Sequence, residues 1–285
     1  MVCRGRWPLA LGTIVVLITA AACSPERGAG HGADAVPATQ PEPKLIHPAF
    51  NFVEEDFAAL LDGMPQQIAA AIGEDPHGFL ARVLDVLDES SDLTVLVDKE
   101  HPLAEEYRPT DLVDLDTLSD ELVLSRPGHR LRREATVALL EMSASAASEG
   151  ITLMVSSAYR SYEYQQTVYA RWVDELGAAT ADRVSAQPGM SQHQLGTAVD
   201  FGCICRAFAD QPAGRWMLAN SHRYGYSLSY PEGHEEVTGY LYEPWHFRYI
   251  GRAAAALEQE YFDGLQHYLL TFLHTHRGLL EASRP

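Results

Sequence analysis

The sequence predicts an α+β fold in which a small antiparallel sheet is flanked by helices and preceded by a helical N-terminal lead-in. Two observations favour this class. Segments with helical periodicity outnumber strand-like runs, and the strand-like runs are short and close enough along the chain for antiparallel pairing. The chain has 285 residues, of which 46% are hydrophobic. That is enough to build one large domain, or two small ones, around a buried core.

The helical lead-in is predicted over residues 50–88. Phe79 and Val83 recur at helical spacing, and Asp75 followed by Pro76 is typical of a helix start. Further helices are expected at residues 130–149, 161–176, 213–224 and 252–273. Short strands are expected at residues 93–97, 151–157, 197–201, 226–230 and 245–250.

The first 23 residues resemble a bacterial lipoprotein signal. Arg4 and Arg6 precede an apolar run at residues 9–22 that is too short to span a bilayer comfortably, and Cys23 follows it. We therefore expect residues 1–22 to be removed and Cys23 to carry a lipid that anchors the protein at the periplasmic face of a bacterial membrane. The alternative is ordinary secretion, which would leave Cys23 as a free thiol. In both cases the mature protein is expected outside the cytoplasm.

Composition divides the remainder of the chain. Residues 23–48 are rich in Pro, Gly and Ala without apolar periodicity, so we expect a flexible tether. The other predicted segments are the helical lead-in at 49–92, the main domain at 93–273 and a C-terminal tail at 274–285.

The chain is strongly acidic, with 21 Lys and Arg against 39 Asp and Glu and a net charge of −18. This acidity disfavours binding to nucleic-acid phosphates, so we expect no nucleic-acid partner.

Cys203 and Cys205 remain once the predicted signal and Cys23 are set aside. In an extended strand, residues i and i+2 share a face with Cα atoms about 6.6 Å apart, at the upper edge of disulfide reach. A bridge formed in an oxidising compartment and two free, packed thiols are equally consistent with this spacing. A second metal site is a more remote alternative.

The stretch MSQHQLGTAVDFG, residues 190–202, places a carboxylate within an apolar strand. Alternation puts Ala198 and Asp200 on the same face of that strand. A buried carboxylate needs a partner, and His193 lies just upstream of Gly196, where the chain can turn so that both side chains converge. A salt bridge and a metal ion would each satisfy Asp200.

The stretch GYLYEPWHFRYIG, residues 239–251, contains a second carboxylate and histidine. Glu243 and His246 would point to opposite faces of a regular strand. Because Pro244 is difficult to place in a central strand, we expect Glu243 on the turn before it. Two histidines and one carboxylate are typical ligands of a catalytic zinc ion, and Glu243 would then serve as the base. The alternative is a surface pair at a strand end.

The stretch SSAYRSYEYQQ, residues 156–166, falls between a predicted strand and a predicted helix. Arg160 lies on the connecting loop, where binding residues concentrate, and its guanidinium can hold a carboxylate in a bidentate geometry. Gln165 lies one helical turn beyond Ser161 and can donate to a peptide carbonyl. The alternative is a surface arginine that caps or bridges.

Together the three stretches resemble the VanY-type zinc D-alanyl-D-alanine carboxypeptidases of the peptidase M15 group. That family's pattern is S-x-Y-R-S followed by Q, then S-x-H-x-x-G-x-A-x-D, then E-x-W-H. It occurs here in order at residues 157–165, 191–200 and 243–246. The resemblance extends over about residues 93–255 and implies the Hedgehog and D,D-peptidase type of α+β fold.

The resemblance implies one zinc ion bound by His193, Asp200 and His246. It implies Glu243 as the general base and three residues that contact the substrate's terminal residue or the developing oxyanion: Arg160, also counted as catalytic, Gln165 and Ser191. The implied substrate is a peptidoglycan stem peptide ending in D-Ala-D-Ala, from which a metal-activated water releases the terminal D-alanine.

Three positions depart from the commonest family pattern. Ala158 stands where glycine is usual, Gln192 where an acidic residue is frequent, and Ser229 where arginine is common. None of them removes an implied ligand or the base. The alternative functions are an L,D-carboxypeptidase or a D-Ala-D-Ala dipeptidase of the same fold, and a non-catalytic cell-wall-binding lipoprotein.

Overall fold

The computed structural model describes residues 44–285, so the predicted signal, Cys23 and most of the predicted tether lie outside the described residues. The helices are α1 (Glu54–Ala59), α2 (Gln66–Glu74), α3 (Pro76–Asp88), α4 (Arg133–Ser148), α5 (Tyr162–Leu176), α6 (Ala178–Val184), α7 (Pro212–Asn220), α8 (Glu235–Thr238), α9 (Arg252–Tyr261) and α10 (Gln266–Ala282). The strands are β1 (Leu112–Asp114), β2 (Val123–Leu124), β3 (Arg130–Arg132), β4 (Met154–Ser157), β5 (Ala198–Phe201), β6 (Tyr226–Leu228) and β7 (His246–Tyr249). Within residues 44–285, none of the helices has the length and apolar character needed to cross a bilayer.

Five strands form one sheet in the order β2-β4-β5-β7-β6. β2 pairs with β4 in parallel, and the other three neighbouring pairs are antiparallel. β1 and β3 form a separate antiparallel pair. The predicted class, α+β with a small and largely antiparallel sheet among helices, is confirmed. All residues of the central strands β5 and β7 are buried, so a functional group placed on them is shielded from water.

One hydrophobic core joins α4 to the sheet. Leu139 and Met142 of α4 belong to the same buried cluster as Val155 of β4, Val199 of β5 and Phe247 of β7. Because side chains alternate along a strand, Asp200 lies on the face of β5 opposite Val199. The apolar face therefore holds β5 in the core and leaves the other face for polar side chains.

A second core joins the N-terminal helices to the last two helices of the chain. Phe79 and Val83 of α3 share a buried cluster with Leu257 of α9 and Phe272 of α10. The ring centroids of Phe79 and Phe272 are 5.5 Å apart in an edge-on arrangement. The helical lead-in is present as α1–α3, and its role is to complete a core with the C-terminal helices.

The strand predicted at residues 93–97 does not form. Residues Ser91–Thr94 make a 3-10 turn instead. The buried guanidinium of Arg248 on β7 donates to the carbonyl oxygens of Leu93 and Val95, over 3.0 and 2.8 Å. A side chain thus occupies the acceptors that a neighbouring strand would have used.

The helix predicted at residues 252–273 is two helices. Asp263 and Gly264 adopt positive φ angles of 56° and 68°, which break the helix between α9 and α10. α10 then continues to Ala282, through most of the segment expected as a C-terminal tail. Leu280 is fully buried in the second core, which explains why the helix extends so far. Helix α6 was not predicted.

Cys203 and Cys205 are joined by a disulfide bond. Their Cα atoms are 5.3 Å apart, closer than in an extended strand. The reason is that β5 ends at Phe201 and the cysteines lie in a tight turn, in which the Cys205 N–H donates to the Cys203 carbonyl over 2.8 Å. Of the alternatives open from the sequence, the bridge is the one observed.

Candidate active site

The central strands bring the three predicted ligands together. Asp200 of β5 lies directly opposite His246 of β7, and His193 lies in a 3-10 turn just before β5. The Asp200 carboxylate oxygens are 3.0 Å from His246 Nδ1 and 3.2 Å from His193 Nε2. One potential ligand atom from each of the three side chains lies within 4.8 Å of the others, and all three side chains are buried.

Gly196 makes this convergence possible. It closes the turn in the left-handed conformation, with φ of 71°. A Cβ at this position would lie 3.0 Å from Leu112 Cδ2 and 3.1 Å from Arg132 Cγ. Both the backbone angle and the space therefore favour glycine. The reversal directs His193 back towards Asp200, as the sequence predicted.

Hydrogen bonds at the outer ring nitrogens orient the two imidazoles. His193 Nδ1 is 2.6 Å from the Ala158 carbonyl oxygen, an acceptor, so Nδ1 carries the proton. His246 Nε2 is 3.3 Å from Gln192 Oε1, an acceptor that can hold the ring proton on that side. With the proton there, the second nitrogen of each ring, His193 Nε2 or His246 Nδ1, faces Asp200 and can donate its lone pair to a cation.

This donor set fits a zinc ion. Two neutral imidazoles and a carboxylate are common catalytic zinc ligands, and hydrogen bonds at the outer nitrogens are their usual support. Burial, and then the positive charge of Arg160, lower the pKa of His193 to about 4, which keeps the ring neutral. His193 Nε2 is buried without a hydrogen-bond partner among residues 44–285. A bound cation would satisfy that nitrogen.

Glu243 lies on the turn before β7, as predicted. The His246 N–H closes the turn by donating to the Glu243 carbonyl over 3.1 Å, and a carboxylate oxygen of Glu243 is 3.7 Å from His246 Nδ1. Burial, followed by the negative charge of Asp200, raises the pKa of Glu243 well above its usual range, while Arg160 opposes the shift. A carboxyl group with a raised pKa suits general acid–base chemistry.

Arg160 enters the same cavity from the loop after β4. Its backbone N–H donates to the His193 carbonyl over 3.2 Å, which ties the loop to the ligand turn. Its Nε is buried and has no hydrogen-bond partner in the described part of the chain. Burial lowers the pKa of Arg160 and the carboxylates of Asp200 and Glu243 oppose this, so the guanidinium stays charged. The Nε–H of Arg160 is therefore available to donate to an anionic group of a bound ligand.

Ser191 and Gln165 occupy different positions relative to the cavity. Ser191 lines it, and the Ser191 hydroxyl accepts a hydrogen bond from the His193 N–H over 3.3 Å. Gln165 is buried behind the wall, where its amide donates to the Ala186 carbonyl over 2.6 Å. Gln165 therefore does not line the cavity in this structure, and its contact with a substrate stays a prediction. Its amide holds in place the segment of Ser185 and Ala186, which does line the cavity.

The cavity has a volume of about 450 Å³. The aromatic side chains in its wall are Tyr164, Trp172, Tyr230, Tyr240, Tyr242 and Trp245. All three candidate ligands, Glu243 and Arg160 also face it. A pocket of this size and composition is typical of a site for a small peptide or a peptide end.

A neutral hydrogen-bonded cluster lies behind His246, and sequence reasoning missed it. Gln192 Oε1 accepts from His246 Nε2 and from the Ser229 hydroxyl, the latter over 2.7 Å. The Gln192 amide donates to Gln266 Oε1 over 3.2 Å. Gln192 and Ser229 are two of the departures from the family pattern, so the structure shows that these two departures contact each other. Gln266 carries no sequence signal, because it lies 74 residues from Gln192.

The site combines His and Asp side chains that can bind a metal ion with a carboxyl group that can accept a proton. Both face a cavity large enough for a peptide end. These features together are typical of metal-dependent hydrolases. Comparison with known proteins narrows this class. The chain belongs to the VanY D-alanyl-D-alanine carboxypeptidase family, whose family model matches residues 128–252.

Two relatives illustrate the likeness. The chain is 34% identical over 193 residues to the putative carboxypeptidase YodJ of Bacillus subtilis (strain 168), covering 65% of this chain and 70% of the relative. It is 32% identical over 212 residues to a D-alanyl-D-alanine carboxypeptidase of Enterococcus faecalis (strain ATCC 700802 / V583), covering 70% and 74% of the two chains.

Two solved structures resemble the fold of this chain. The LdcB LD-carboxypeptidase superposes with a TM-score of 0.55 at 34% identity, covering 61% of this chain and 86% of that one. The vancomycin resistance D,D-pentapeptidase VanY, in a complex with Zn(II), superposes with a TM-score of 0.52 at 30% identity, covering 64% and 99%.

Proposed function

We propose that the chain is a zinc-dependent D,D-carboxypeptidase that removes the terminal D-alanine from peptidoglycan stem peptides. The observation that carries the proposal is the buried set of His193, Asp200 and His246, with Glu243 3.7 Å from His246 in the same cavity. The relatives named D-alanyl-D-alanine carboxypeptidase and the zinc-bound VanY structure support both the metal and the reaction.

Each residue of the site has a separate role in the proposed reaction. A zinc ion held by His193, Asp200 and His246 supplies Lewis acidity and lowers the pKa of water. Glu243 accepts the proton of the water that attacks the penultimate carbonyl and returns it to the leaving amine of D-alanine. The charged guanidinium of Arg160 opposes negative charge on the developing oxyanion or on the terminal carboxylate.

The activity is tested by release of D-alanine from a pentapeptide stem that ends in D-Ala-D-Ala. A tetrapeptide stem run in parallel measures L,D cleavage, the alternative represented by LdcB. We expect D-alanine from the pentapeptide, loss of release after chelation and recovery on addition of zinc. Release from the tetrapeptide alone would assign L,D specificity, and release unaffected by chelation would contradict the metal mechanism.

The membrane location is also part of the proposal. Cys23 after an apolar run, preceded by Arg4 and Arg6, supports lipidation at Cys23 and attachment to the outer face of a cytoplasmic membrane or to a periplasmic membrane surface. Labelling of the full chain with a fatty-acid analogue is expected in the wild type and not in Cys23→Ser. Equal labelling of both proteins would overturn the anchor, and secreted unlabelled wild type would indicate ordinary secretion.

A further inference from the structure

The cavity has the opposite charge balance to the chain as a whole. The sequence carries 21 Lys and Arg against 39 Asp and Glu. The cavity wall has only two carboxylates, Asp200 and Glu243, and both lie against the imidazole of His246. The basic residues of the wall are four arginines: Arg126, Arg160, Arg171 and Arg206. The site is therefore electropositive within an acidic protein, and it would be more so with a bound cation.

Arg126 and Arg206, here called the rim arginines, are exposed and lack an acidic partner. Among residues 44–285, no carboxylate oxygen lies within 4.0 Å of either guanidinium. Arg126 donates to the carbonyl of its neighbour Pro127 over 3.3 Å, and the Arg206 guanidinium lies 5.9 Å from the centroid of the Tyr242 ring. Arg171, in contrast, has a carboxylate oxygen of Glu175 at 3.9 Å. The rim arginines are thus free to pair with an anion in the cavity.

The fold places the rim arginines beside the strands that build the site. Arg126 follows β2, and the neighbouring Ser125 N–H donates to a β4 carbonyl over 2.9 Å. Arg206 follows the Cys203–Cys205 bridge, in the turn just beyond β5. The bridge closes this turn on itself, the preceding Gly202 N–H donates to the Met154 carbonyl of β4 over 2.8 Å, and Gln211 donates to Cys203 Sγ over 3.3 Å. Both guanidinium groups therefore reach the cavity from anchored turns.

Arg160 already accounts for the negative charge at the scissile end of the substrate. It lies close enough to Asp200 and Glu243 for their charges to affect its pKa. The rim arginines are separate from it along the chain and more exposed. Ahead of the scissile bond, a stem peptide can carry further carboxylates, on a γ-linked D-glutamate that is not amidated and on a third residue that is diaminopimelate and not lysine. Guanidinium groups pair with carboxylates in a bidentate geometry and repel an ammonium group.

We propose that the rim arginines bind a second carboxylate of the stem peptide, on the residues that precede D-Ala-D-Ala. This rests on the proposed function and adds a specificity to it. The chain discriminates in favour of stems that present a free carboxylate there and against stems in which that group is amidated or replaced by a lysine amine.

Short peptides separate the two sources of the carboxylate. In Nα-acetyl-Lys-D-Ala-D-Ala, the lysine amine is left free, acetylated or succinylated, which gives a cationic, neutral or anionic third residue. A second pair adds a γ-linked D-glutamate to the neutral peptide, with its α-carboxyl group free or amidated. The value of kcat/KM for D-alanine release by the zinc-loaded protein is measured for each peptide.

In at least one pair, the carboxylate peptide is expected to exceed its neutral counterpart by about three- to tenfold, as for a charge-assisted contact at a partly exposed site. The pair that responds identifies the source. Arg126→Gln and Arg206→Gln are expected to bring this ratio towards one. Arg223→Gln, which changes an exposed arginine outside the cavity wall, is the matched control and keeps the wild-type ratio.

A ratio near one in both peptide pairs would overturn the proposal, and so would a wild-type ratio that persists in both rim variants. A faster reaction with the free amine than with the acetylated peptide would also overturn it. Absence of D-alanine release from every peptide is a different result, because it would overturn the proposed function itself.

Discussion

At the scale of single residues, Glu243 is the group on which turnover depends most. Glu243→Gln keeps the shape of the side chain but cannot accept the proton of water. We expect kcat to fall by about 10²- to 10⁴-fold, the usual contribution of a general base. Steady-state D-alanine release measures kcat, and metal analysis checks that zinc content is unchanged.

The control for this substitution is Glu236→Gln, which changes an exposed glutamate of α8 outside the cavity wall. It should release D-alanine at the wild-type rate. A Glu243→Gln protein with full zinc and wild-type kcat would show that another group accepts the proton.

Gln192 is predicted to act through His246. Gln192→Leu removes the acceptor that orients the His246 ring and leaves the hydroxyl of Ser229 without its partner. Loss of such an outer hydrogen bond typically weakens metal binding about 10- to 100-fold. Competition with a zinc chelator measures the affinity, and the exposed Gln259→Leu is the control. Equal affinities in the two variants would assign Gln192 a packing role only.

The sequence predicted which side chains form the site, but it did not predict the hydrogen bonds that support them. His193, Asp200, Glu243 and His246 lie in short motifs in which neighbouring positions constrain one another, so their convergence could be inferred. The surroundings of Gln165 could not be predicted, because spacing along a helix shows which face a residue is on, and not what covers that face. The partner it meets, the Ala186 carbonyl, belongs to a segment 21 residues away.

At the scale of elements, the turn before β5 depends on Gly196. In Gly196→Ala, the added Cβ would meet Leu112 and Arg132 near 3 Å in a backbone conformation that is already unfavourable for alanine. We expect the free energy of unfolding to fall by about 2–4 kcal/mol, from strain and overpacking combined. Zinc affinity should fall with it, because the turn positions His193.

Gly63→Ala separates the two causes. Gly63 has φ of 81° but no atom within 4 Å of an added Cβ, so only backbone strain of about 1–2 kcal/mol is expected. Urea unfolding of both variants measures the difference. Equal losses would show that packing around Gly196 contributes nothing.

The contact between α9 and β6 is predicted to make stability depend on pH. Glu258 is buried, and burial raises its pKa to about 8, although the Ser227 hydroxyl, 2.7 Å away, opposes the shift. The folded state thus holds a proton that the unfolded state releases near pH 4.5. Stability from this group is therefore present at low pH and is lost as the pH rises from about 4.5 to about 8, by at most about 1.4 kcal/mol per pH unit.

Glu258→Gln keeps an acceptor for Ser227 and removes the titration. The difference in unfolding free energy between this variant and the wild type should grow in favour of the variant between pH 5.5 and pH 7.5. Urea unfolding at several pH values measures it, and Glu236→Gln should track the wild type. A difference that does not change with pH would contradict the buried charge.

Two elements that the sequence predicted wrongly have separate physical causes. Residues 93–97 look like a strand by composition, but their carbonyl groups are taken by Arg248, which lies more than 150 residues away. The break between α9 and α10 is set by positive φ angles at Asp263 and Gly264, and a single Asp-Gly pair within a long helical pattern did not reveal it. Helix and strand periodicity report an average local preference, so they miss both a distant contact such as that of Arg248 and a break made by two residues with positive φ.

At the scale of the molecule, two hydrophobic cores stabilise different parts of the fold. The core between α4 and the sheet anchors the strands that carry Asp200 and His246, and the second core closes the N-terminal helices against α9 and α10. Composition and periodicity predicted helices at both ends of the main domain. They did not predict that these ends pack together, because that contact joins segments far apart in sequence.

The D,D-carboxypeptidase activity of the molecule depends on one zinc ion, for which His193, Asp200 and His246 are the candidate ligands. The most direct measurement is a zinc titration of the metal-free protein, with D-alanine release from a pentapeptide as the readout. D-Alanine release should rise linearly and stop rising at one zinc per chain, and no such rise is expected in His246→Ala. Full release by the metal-free protein, or an unchanged titration in His246→Ala, would contradict it.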